Sequence, residues 1–226
     1  MDRRPHLPPT PPPLILFDFD GVIADSLDCF ETCLAEAAQA EGVGNLGRRD
    51  VFLHVFDEDM ISGLRHLGLE EARLARVIAR LADGLTRRFG EVGFFPGMAD
   101  VLTQLSQRAT VLVITSNFGD VVCRCLEAHG VSGVRDVVGG ERERSKVRKI
   151  RSAMAAYPGA TAWYVGDTRG DMIEAREAGA RTVAVTWGWH DRERLLTAAP
   201  DRVAERPEDL LTLAPAHGPL PPGPVH

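Results

Sequence analysis

Five short apolar runs, each about the length of one β-strand, constrain the fold of this chain more than any other feature. They are Leu14 to Phe17, Val111 to Ile114, Val134 to Val138, Ala162 to Val165 and Thr182 to Val185. Because most of their positions are apolar, the runs are typical of parallel strands that are buried on both faces. Segments of helical periodicity separate the later runs. This alternation predicts an α/β fold with a doubly wound, Rossmann-like parallel sheet.

The stretch from residue 26 to residue 95 interrupts this alternation. It contains helical patterns and no convincing strand, and in its clearest pattern apolar residues recur at helical spacing: Leu74, Val77, Ile78, Leu81, Leu85 and Phe89. We therefore predict a helical cap domain at residues 26–95, inserted into a core domain that comprises residues 14–25 and 96–213.

The two ends of the chain differ from the rest in composition. Eleven of the fifteen prolines lie in residues 1–13 and 214–226. Such segments have little with which to form a core, so we predict two disordered, proline-rich tails.

Composition also excludes several classes of function. No apolar run is long enough to cross a membrane, and the start of the chain lacks the apolar segment of a secretory signal, so we expect a cytoplasmic protein with no membrane partner. The net charge of −6 argues against a general affinity for nucleic acid. The sequence leaves open whether the chain is a monomer or a homodimer.

The segment Asp18-Phe19-Asp20-Gly21 directly follows the first strand. Ligands of open α/β sheets bind at the carboxyl ends of the strands, so these two aspartates are candidates for a nucleophile and for metal ligands. Paired carboxylates beside a glycine also occur in calcium loops. The EF-hand pattern, however, needs its glycine at the sixth position, and Gly21 is the fourth residue counted from Asp18.

Thr115-Ser116-Asn117 ends the second strand, and a helical segment begins at about Phe118. Hydroxyl groups and free backbone N–H groups at the start of a helix can hold phosphate oxygens. These three residues are therefore candidates for phosphate binding. The alternative is that Ser116 or Asn117 only caps the helix.

The fourth strand leads into a second acidic pair, Asp167 and Asp171. Oxygen-rich sites of this kind suit Mg²⁺, although the helix dipole alone would also favour Asp171 at a helix start. Lys146 and Lys149 are the only lysines among 26 basic residues. Both lie in a charged run, residues 141–151, which we interpret as a solvated helix face except for Lys146.

Gly42-Val43-Gly44-Asn45-Leu46-Gly47 matches the dinucleotide-binding pattern Gly-x-Gly-x-x-Gly. That motif requires a strand before its glycines and a helix after them. The segment before this one, residues 35–41, has a helical pattern instead. We therefore interpret the glycines as a loop between helices of the cap.

Taken in order, the four motifs around Asp18, Thr115, Lys146 and Asp167 resemble those of the haloacid dehalogenase superfamily, in particular its phosphatases with a small helical cap. The resemblance extends over nearly all of residues 14–213. It implies an α/β core, a bound Mg²⁺ and a small phosphorylated metabolite as the substrate.

The resemblance also assigns roles to individual residues. Asp18 is the nucleophile and Asp20 the general acid and base, and both contribute to the metal site with Asp167, Asp20 through its carbonyl oxygen. Thr115 and Lys146 hold the phosphoryl group, and Asp171 orients its neighbours. The acidic Asp20 favours a phosphatase over the dehalogenases and phosphonate hydrolases of the superfamily.

Several functions stay open at this point. Phosphoglycolate-like substrates lead, but Val147 follows Lys146 where the phosphoglycolate phosphatase group usually has proline. The alternatives are a pyrophosphatase or nucleotidase, a hexose-phosphate mutase, and a binding or regulatory protein that keeps only the fold. For a carboxylated substrate, four polar residues of the cap are candidates for its recognition: Arg48, Arg49, His54 and Arg65.

Overall fold

The computed structural model describes residues 11–88, 90 and 92–214. It contains six strands, β1 Leu14–Phe17, β2 Thr110–Ile114, β3 Val134–Val138, β4 Ala162–Gly166, β5 Arg181–Val185 and β6 Arg202–Ala204. Its α-helices are α1 Leu27–Ala40, α2 Arg49–Val55, α3 Met60–His66, α4 Glu71–Arg88, α5 Met98–Ser106, α6 Gly119–Ala128, α7 Lys146–Ala156, α8 Arg169–Ala178 and α9 Arg192–Leu196. Most of residues 1–13 and 214–226, which we predicted to be disordered tails, lie outside the described residues, as does Phe89.

The six strands form one parallel sheet in the order β3-β2-β1-β4-β5-β6. The chain moves outward from β1 to β3 and then returns to the other side of β1 at β4. This reversal places β1 between β2 and β4, which is the position where open α/β sheets form their ligand sites. The predicted doubly wound α/β fold is confirmed.

Alternate residues of β1 belong to two separate apolar clusters, as expected for a strand buried on both faces. Ile15 and Phe17 pack in the larger cluster, which includes the apolar residues of α5 and α6. Leu14 and Leu16 pack in the smaller cluster with Ile150 of α7 and with residues of α8. The two helical layers therefore hold the sheet between them and fix the direction in which β1 delivers Asp18.

Helices α1 to α4 lie between β1 and β2 in the chain, and we call them the helical insert. Helix α1 packs against α4, whose apolar residues Leu74, Val77, Leu81 and Leu85 are buried. The described part of this stretch contains no strand, in agreement with its helical pattern. The segment Gly44–Gly47 is a short 3₁₀-helix between α1 and α2, so the dinucleotide-like glycines follow a helix and not a strand.

The insert contacts the core next to the carboxyl end of β4. Trp189, from the loop after β5, packs against three aromatic rings of the insert, those of Phe30, Phe52 and Phe56. Asp57 forms a two-point ion pair with Arg194 of α9, with N···O distances of 2.7 and 2.6 Å. These contacts hold the insert against one side of the sheet edge.

Strand β6 was not predicted from the sequence, in which we identified five strands. It has three residues and begins with the exposed Arg202. An edge strand this short has no apolar run that would distinguish it from a loop. Among the described residues, no helix has both the length and the apolar content that a membrane crossing requires.

Candidate active site

The carboxyl ends of β1, β2 and β4 bring the predicted site residues to one edge of the sheet. Asp18 and Asp20 follow β1, Thr115 follows β2, and Asp167 follows β4. All four are buried. Because parallel strands end at the same edge, segments that are far apart in the sequence become neighbours here.

Asp18 has a hydrogen-bond donor at each of its carboxylate oxygens. The Phe19 N–H donates to Oδ1 at 2.8 Å, and Lys146 Nζ donates to Oδ2 at 2.9 Å. Burial raises the pKa of Asp18 to about 6, although the positive charge of Lys146 opposes this rise. The carboxylate is therefore oriented from two sides and is ionised near neutral pH.

Lys146 is the first residue of α7, which Ser145 caps by accepting a hydrogen bond from the Arg148 N–H. Its Nζ lies between two acids, 2.9 Å from Asp18 Oδ2 and 2.6 Å from Asp171 Oδ1. Burial alone would lower the pKa of Lys146, but the charges of Asp171 and Asp18 keep it well above the usual value. The lysine therefore stays positively charged at the edge of the site.

Asp20 differs from Asp18 in its partners. Asn117 Nδ2 donates to Asp20 Oδ2 at 3.3 Å, whereas Oδ1 has no hydrogen-bond partner in the described part of the chain. Burial and the negative charge of Asp18 raise the pKa of Asp20 to about 7. A carboxyl group with such a pKa can give up and take back a proton near neutral pH.

The segment 115–117 turns sharply after β2. Thr115 Oγ1 accepts a hydrogen bond from the Asn117 N–H at 2.9 Å, and Asn117 Oδ1 accepts one from the Phe118 N–H at 2.8 Å. Helix α6 begins at Gly119, and its N-cap residue Phe118 provides no side-chain hydrogen bond. Neither Ser116, which is exposed, nor Asn117 is therefore the N-cap residue of α6.

Asp167 and Asp171 occupy the end of β4 and the start of α8. Asp167 Oδ2 accepts a hydrogen bond from the Trp189 N–H at 2.7 Å, and its Oδ1 is another buried oxygen without a partner among the described residues. Burial, together with the charges of Asp171 and Asp18, raises the pKa of Asp167 well above its usual value.

Asp171 has two structural contacts at once. It forms a capping box with Thr168 at the start of α8, in which Thr168 Oγ1 donates to Asp171 Oδ2 at 2.8 Å. Its other oxygen accepts the hydrogen bond from Lys146. Burial opposes the ionisation of Asp171, but Lys146 and Thr168 outweigh it and lower its pKa.

Three of these carboxylates are arranged as a metal site would require. Asp18, Asp167 and Asp171 each offer one oxygen atom, and the three atoms lie within 4.8 Å of one another. The unpartnered Oδ1 of Asp167 and the raised pKa of this residue fit a cation bound here in addition to Lys146. Oxygen ligands of this kind fit a hard divalent cation. Asp20 contributes no side-chain oxygen to this group, and the role of its carbonyl stays a prediction.

Two glycines allow the chain to close around Asp167. Gly21 has a φ of +75°, and a Cβ atom at this position would lie 2.0 Å from Asp167 Oδ2. A Cβ atom at Gly188 would lie 2.3 Å from Asp167 Cβ. Any side chain at either position would displace Asp167. Neither this packing nor the role of Gly188 is indicated by the motifs in the sequence.

The structure corrects the interpretation of the charged run 141–151. Lys149, which we expected on a solvated helix face, is only 2% exposed. Its Nζ donates a hydrogen bond to the Thr115 carbonyl oxygen. Helical spacing was a signal for this, because Lys149 lies three residues after Lys146 and four before Ala153 and therefore shares their buried face of α7.

The cap residues suggested for substrate recognition lie on the surface of the insert. The three arginines are exposed and pair with acidic residues: Arg48 with Asp50, Arg49 with Asp28 and Glu31, and Arg65 with Glu71. His54 Nδ1 contacts the Asp50 carbonyl oxygen at 2.7 Å. All of these polar groups already have partners within the insert.

Comparison with known proteins agrees with this arrangement. Residues 15–185 match the family described as haloacid dehalogenase-like hydrolase. The chain is 33% identical over 201 residues to a phosphoglycolate phosphatase of Synechococcus elongatus, covering 87% of this chain and 94% of the relative. It is 26% identical over 234 residues to a phosphoglycolate phosphatase of Vibrio parahaemolyticus, covering 88% and 94% of the two chains.

A solved structure shows the same fold. It is a haloacid dehalogenase-like hydrolase from Streptococcus pneumoniae, which superposes with a TM-score of 0.75 at 22% identity and covers 88% of this chain and 97% of its own. The family match spans both acidic pairs, the segment 115–117 and Lys146. The sheet order and the buried carboxylates agree with these similarities. The chain therefore belongs to the haloacid dehalogenase-like hydrolases and is an enzyme of their phosphatase type.

Proposed function

We propose that this enzyme is a Mg²⁺-dependent phosphatase, which hydrolyses a small phosphomonoester through an aspartyl phosphate on Asp18. One observation carries the proposal: two neighbouring buried carboxylates are held by different partners. Lys146 and the Phe19 N–H orient Asp18, whereas Asp20 has no cation beside it in the described part of the chain and receives a longer hydrogen bond, at 3.3 Å, from the neutral Asn117 amide. This difference suits a nucleophile beside a proton donor.

In the first step, an oxygen of the Asp18 carboxylate attacks the phosphorus atom of the substrate. The bond between phosphorus and the leaving alkoxide oxygen breaks, and protonated Asp20 gives its proton to that oxygen. The products are a free alcohol and a phosphoryl group bonded to Asp18. The raised pKa of Asp20, about 7, provides a protonated fraction at neutral pH.

In the second step, ionised Asp20 takes a proton from a water molecule as its oxygen attacks the phosphorus atom. The bond between phosphorus and Asp18 breaks, which releases inorganic phosphate and restores the carboxylate. Asp20 is then protonated again and ready for the next substrate. One carboxyl group thus serves as acid in the first step and as base in the second.

Charge compensation is the main electrostatic requirement of this reaction. Asp18 and Asp167 would hold Mg²⁺ with the Asp20 carbonyl oxygen, and the ion would offset the negative charge of the phosphoryl oxygens. Lys146 supplies a fixed positive charge 2.9 Å from the nucleophile. Thr115 and Ser116 bind phosphoryl oxygens through hydroxyl and N–H groups, and the predicted contact of Asn117 requires its N–H to leave Thr115 Oγ1. Asp171 keeps Lys146 in position.

The helical insert serves as a cap in this proposal, with domain limits at residues 26–95 for the cap and 14–25 and 96–213 for the core. The ring contacts of Trp189 with Phe30, Phe52 and Phe56 place the insert beside Asp167, which the Trp189 N–H contacts. A lid in this position excludes water and contacts the part of the substrate beyond the phosphoryl group.

Phosphoglycolate and similar small carboxylated phosphomonoesters are the leading substrate class. The support for this class is the similarity to the Synechococcus enzyme, which extends over nearly the full length of both proteins. The phosphoryl-binding edge serves any phosphomonoester, so a panel of substrates tests this class separately from the mechanism.

The test has two stages. Hydrolysis of a generic aryl phosphate is first measured with Mg²⁺, with excess chelator, and after Mg²⁺ is restored; we expect activity only when Mg²⁺ is present. Full activity in chelator would rule out the metal, and no activity in Mg²⁺ would favour a binding protein. Next, a panel containing phosphoglycolate, pyrophosphate, nucleotides and hexose phosphates is compared by kcat/KM. A preference for pyrophosphate or a nucleotide would reject the substrate class but not the mechanism.

A further inference from the structure

The second lysine of the chain has no role in the mechanism described so far. The protein has 26 basic residues, and 24 of them are arginines. Its two lysines, Lys146 and Lys149, lie one turn apart on α7 and are both buried. Lys146 contacts the nucleophile and Asp171. The arrangement raises the question of what the buried charge of Lys149 does.

Lys149 reaches the site from behind the segment that follows β2. Its Nζ donates a hydrogen bond to the Thr115 carbonyl oxygen. No carboxylate lies within salt-bridge distance of Lys149 in the described ranges. Burying a charge without such a partner is costly, so a structural role alone would be served better by an apolar residue of this length.

The Thr115 carbonyl belongs to the same peptide unit as the Ser116 N–H. In a trans peptide these two groups point in opposite directions, and the described residues contain no cis peptide bond. A donor that fixes the carbonyl on one side therefore fixes the direction of the N–H on the other. The Ser116 N–H donates no hydrogen bond to any described residue.

We propose that Lys149 is a positioning residue, which holds the Thr115–Ser116 peptide so that the Ser116 N–H points to a phosphoryl oxygen of the substrate. The hydrogen bond to the carbonyl also polarises the peptide, which strengthens the N–H as a donor. This inference rests on the proposed phosphatase function and adds to it a residue that never touches the substrate.

The electrostatic surroundings of Lys149 agree with this role. Burial and the nearby charge of Lys146 lower the pKa of Lys149 to about 8, while Asp18, Glu174 and Glu141 oppose this decrease. A dianionic phosphoryl group arriving at the other side of the peptide adds further negative charge, which favours the protonated lysine. The positive charge of Lys149 and the bound phosphoryl group therefore stabilise each other.

The test compares the binding of inorganic phosphate, the reaction product, to matched variants in the presence of Mg²⁺. Lys149→Met removes the buried donor and its charge with little change in length. Arg148→Met removes one positive charge from the adjacent, exposed position of α7 and serves as the control. By calorimetry, we expect Lys149→Met to bind phosphate about tenfold more weakly than wild type and Arg148→Met to change affinity less than about twofold.

Thermal unfolding separates positioning from a merely structural role. Affinity within about twofold of wild type in folded Lys149→Met, whatever its melting temperature, overturns the inference. Should this variant not fold, Lys149→Gln replaces it; its amide keeps a donor without the charge, and wild-type phosphate affinity in it overturns the charge requirement.

A measurement on the unaltered enzyme completes the test. With ¹³C-labelled lysine, the protein gives signals from only two lysines, and the signal lost in Lys149→Gln identifies Lys149. We expect phosphate to shift the signals of both lysines, and a Lys149 signal that stays fixed during saturation overturns the inference. Loss of Mg²⁺-dependent hydrolysis in the wild type would instead refute the proposed function, so the two failures are distinguishable.

Discussion

Acidic and basic side chains form ion pairs both at the sheet edge and on the helical insert, but the pairs at the edge are buried and those on the insert are exposed. At the sheet edge, Asp18, Lys146 and Asp171 are almost completely buried. On the helical insert, Arg48 and Asp50 pair at 2.7 Å with side chains that are 71% and 59% exposed. The distances are similar in the two regions, 2.6 and 2.9 Å at the edge.

The difference lies in what each region does to the pKa of its acids. At the edge, burial raises the pKa values of Asp18, Asp20 and Asp167. Only at Asp171, among these four acids, do Lys146 and Thr168 outweigh burial and lower the pKa. On the insert, hydrogen bonds from arginines lower those of exposed acids such as Glu71. An ion pair in water therefore contributes little to the free energy of unfolding. The buried cluster, in contrast, keeps Asp20 Oδ1 and Asp167 Oδ1 without a hydrogen-bond partner among the described residues, and a ligand can satisfy them.

The largest expected effect is that of Asp18→Asn on turnover. An amide cannot act as the carboxylate nucleophile, so we expect kcat to fall by more than about 1,000-fold while circular dichroism shows an intact fold. Asp28→Asn removes the same charge from an ion pair on the insert and should leave kcat unchanged. If Asp18→Asn kept a tenth of the wild-type rate, Asp18 would not be the nucleophile.

Asp20→Asn should have the next largest effect. The variant can neither protonate the leaving group nor activate water, so we expect kcat to fall by roughly 100-fold or more. With an aryl phosphate whose leaving group needs little protonation, the phosphorylated enzyme should accumulate. Rapid acid quenching followed by mass spectrometry detects it. A wild-type rate in this variant would remove Asp20 from the acid and base role.

Without metal, Asp20→Asn should increase the stability of the folded protein, although it decreases kcat. Because the pKa of Asp20 is raised from 3.8 to about 7, the unfolded state binds fewer protons than the folded state between these values. Stability therefore decreases as the pH rises through this window. In chelator at pH 8, we expect Asp20→Asn to be more stable than wild type by on the order of 1–3 kcal/mol.

The control for this measurement is Asp50→Asn on the insert, where no such gain is expected because the pKa of Asp50 is lowered by Arg48. Urea unfolding at pH 5 and pH 8 provides the comparison. Mg²⁺ should remove much of the difference, since a cation at Asp18 and Asp167 favours the ionised Asp20 carboxylate of the folded wild type. Equal stability of wild type and Asp20→Asn at pH 8 would show that burial does not destabilise the ionised form of Asp20.

The fold was largely predictable because the patterns of β1, β2, β4 and β5 reflect their burial. Strands covered on both faces are mostly apolar, and such runs are easily recognised in a sequence. Strand β6 could not be recognised, since Arg202 to Ala204 offers three residues at an edge. The positions of Asp18, Thr115 and Asp167 were predictable because each directly follows a recognisable strand.

The contacts that support the site were not predictable in the same way. Helical spacing places Lys149 on the same face as Lys146, but its contact with the Thr115 carbonyl depends on how α7 is rotated against the sheet. The Trp189 N–H reaches Asp167 because the loop after β5 folds back over the edge, which no local pattern specifies. Motifs thus indicate the residues that carry the chemistry, while the residues that orient them require tertiary structure.

The pair between Asp57 and Arg194 is intermediate between the two regions, because it joins the insert to the core with side chains that are 29% and 21% exposed. We expect a double-mutant cycle with Asp57→Asn and Arg194→Gln to give a coupling free energy of about 1 kcal/mol in unfolding. Limited proteolysis should cut the insert faster in either variant. A coupling of zero would place this pair with the exposed pairs of the insert.

The smallest effects are expected for the arginines of the insert, which also tests the sequence-based hypothesis of carboxylate recognition. Arg48, Arg49 and Arg65 are exposed and already paired with acids. We expect each change to methionine to shift the melting temperature by less than about 2 °C.

Kinetics with two substrates decides whether these arginines contribute to recognition. The charges of these arginines are compensated by acids and hydrated. We therefore expect KM for phosphoglycolate, and for an aryl phosphate without a carboxylate, to stay within about twofold of the wild-type value in all three variants. A selective rise in KM for phosphoglycolate in one variant would show that its ion pair opens to receive the substrate carboxylate. Such a result would assign that arginine to the functional site. The exposed fraction of a side chain would then no longer distinguish the ion pairs of the site from those of the insert.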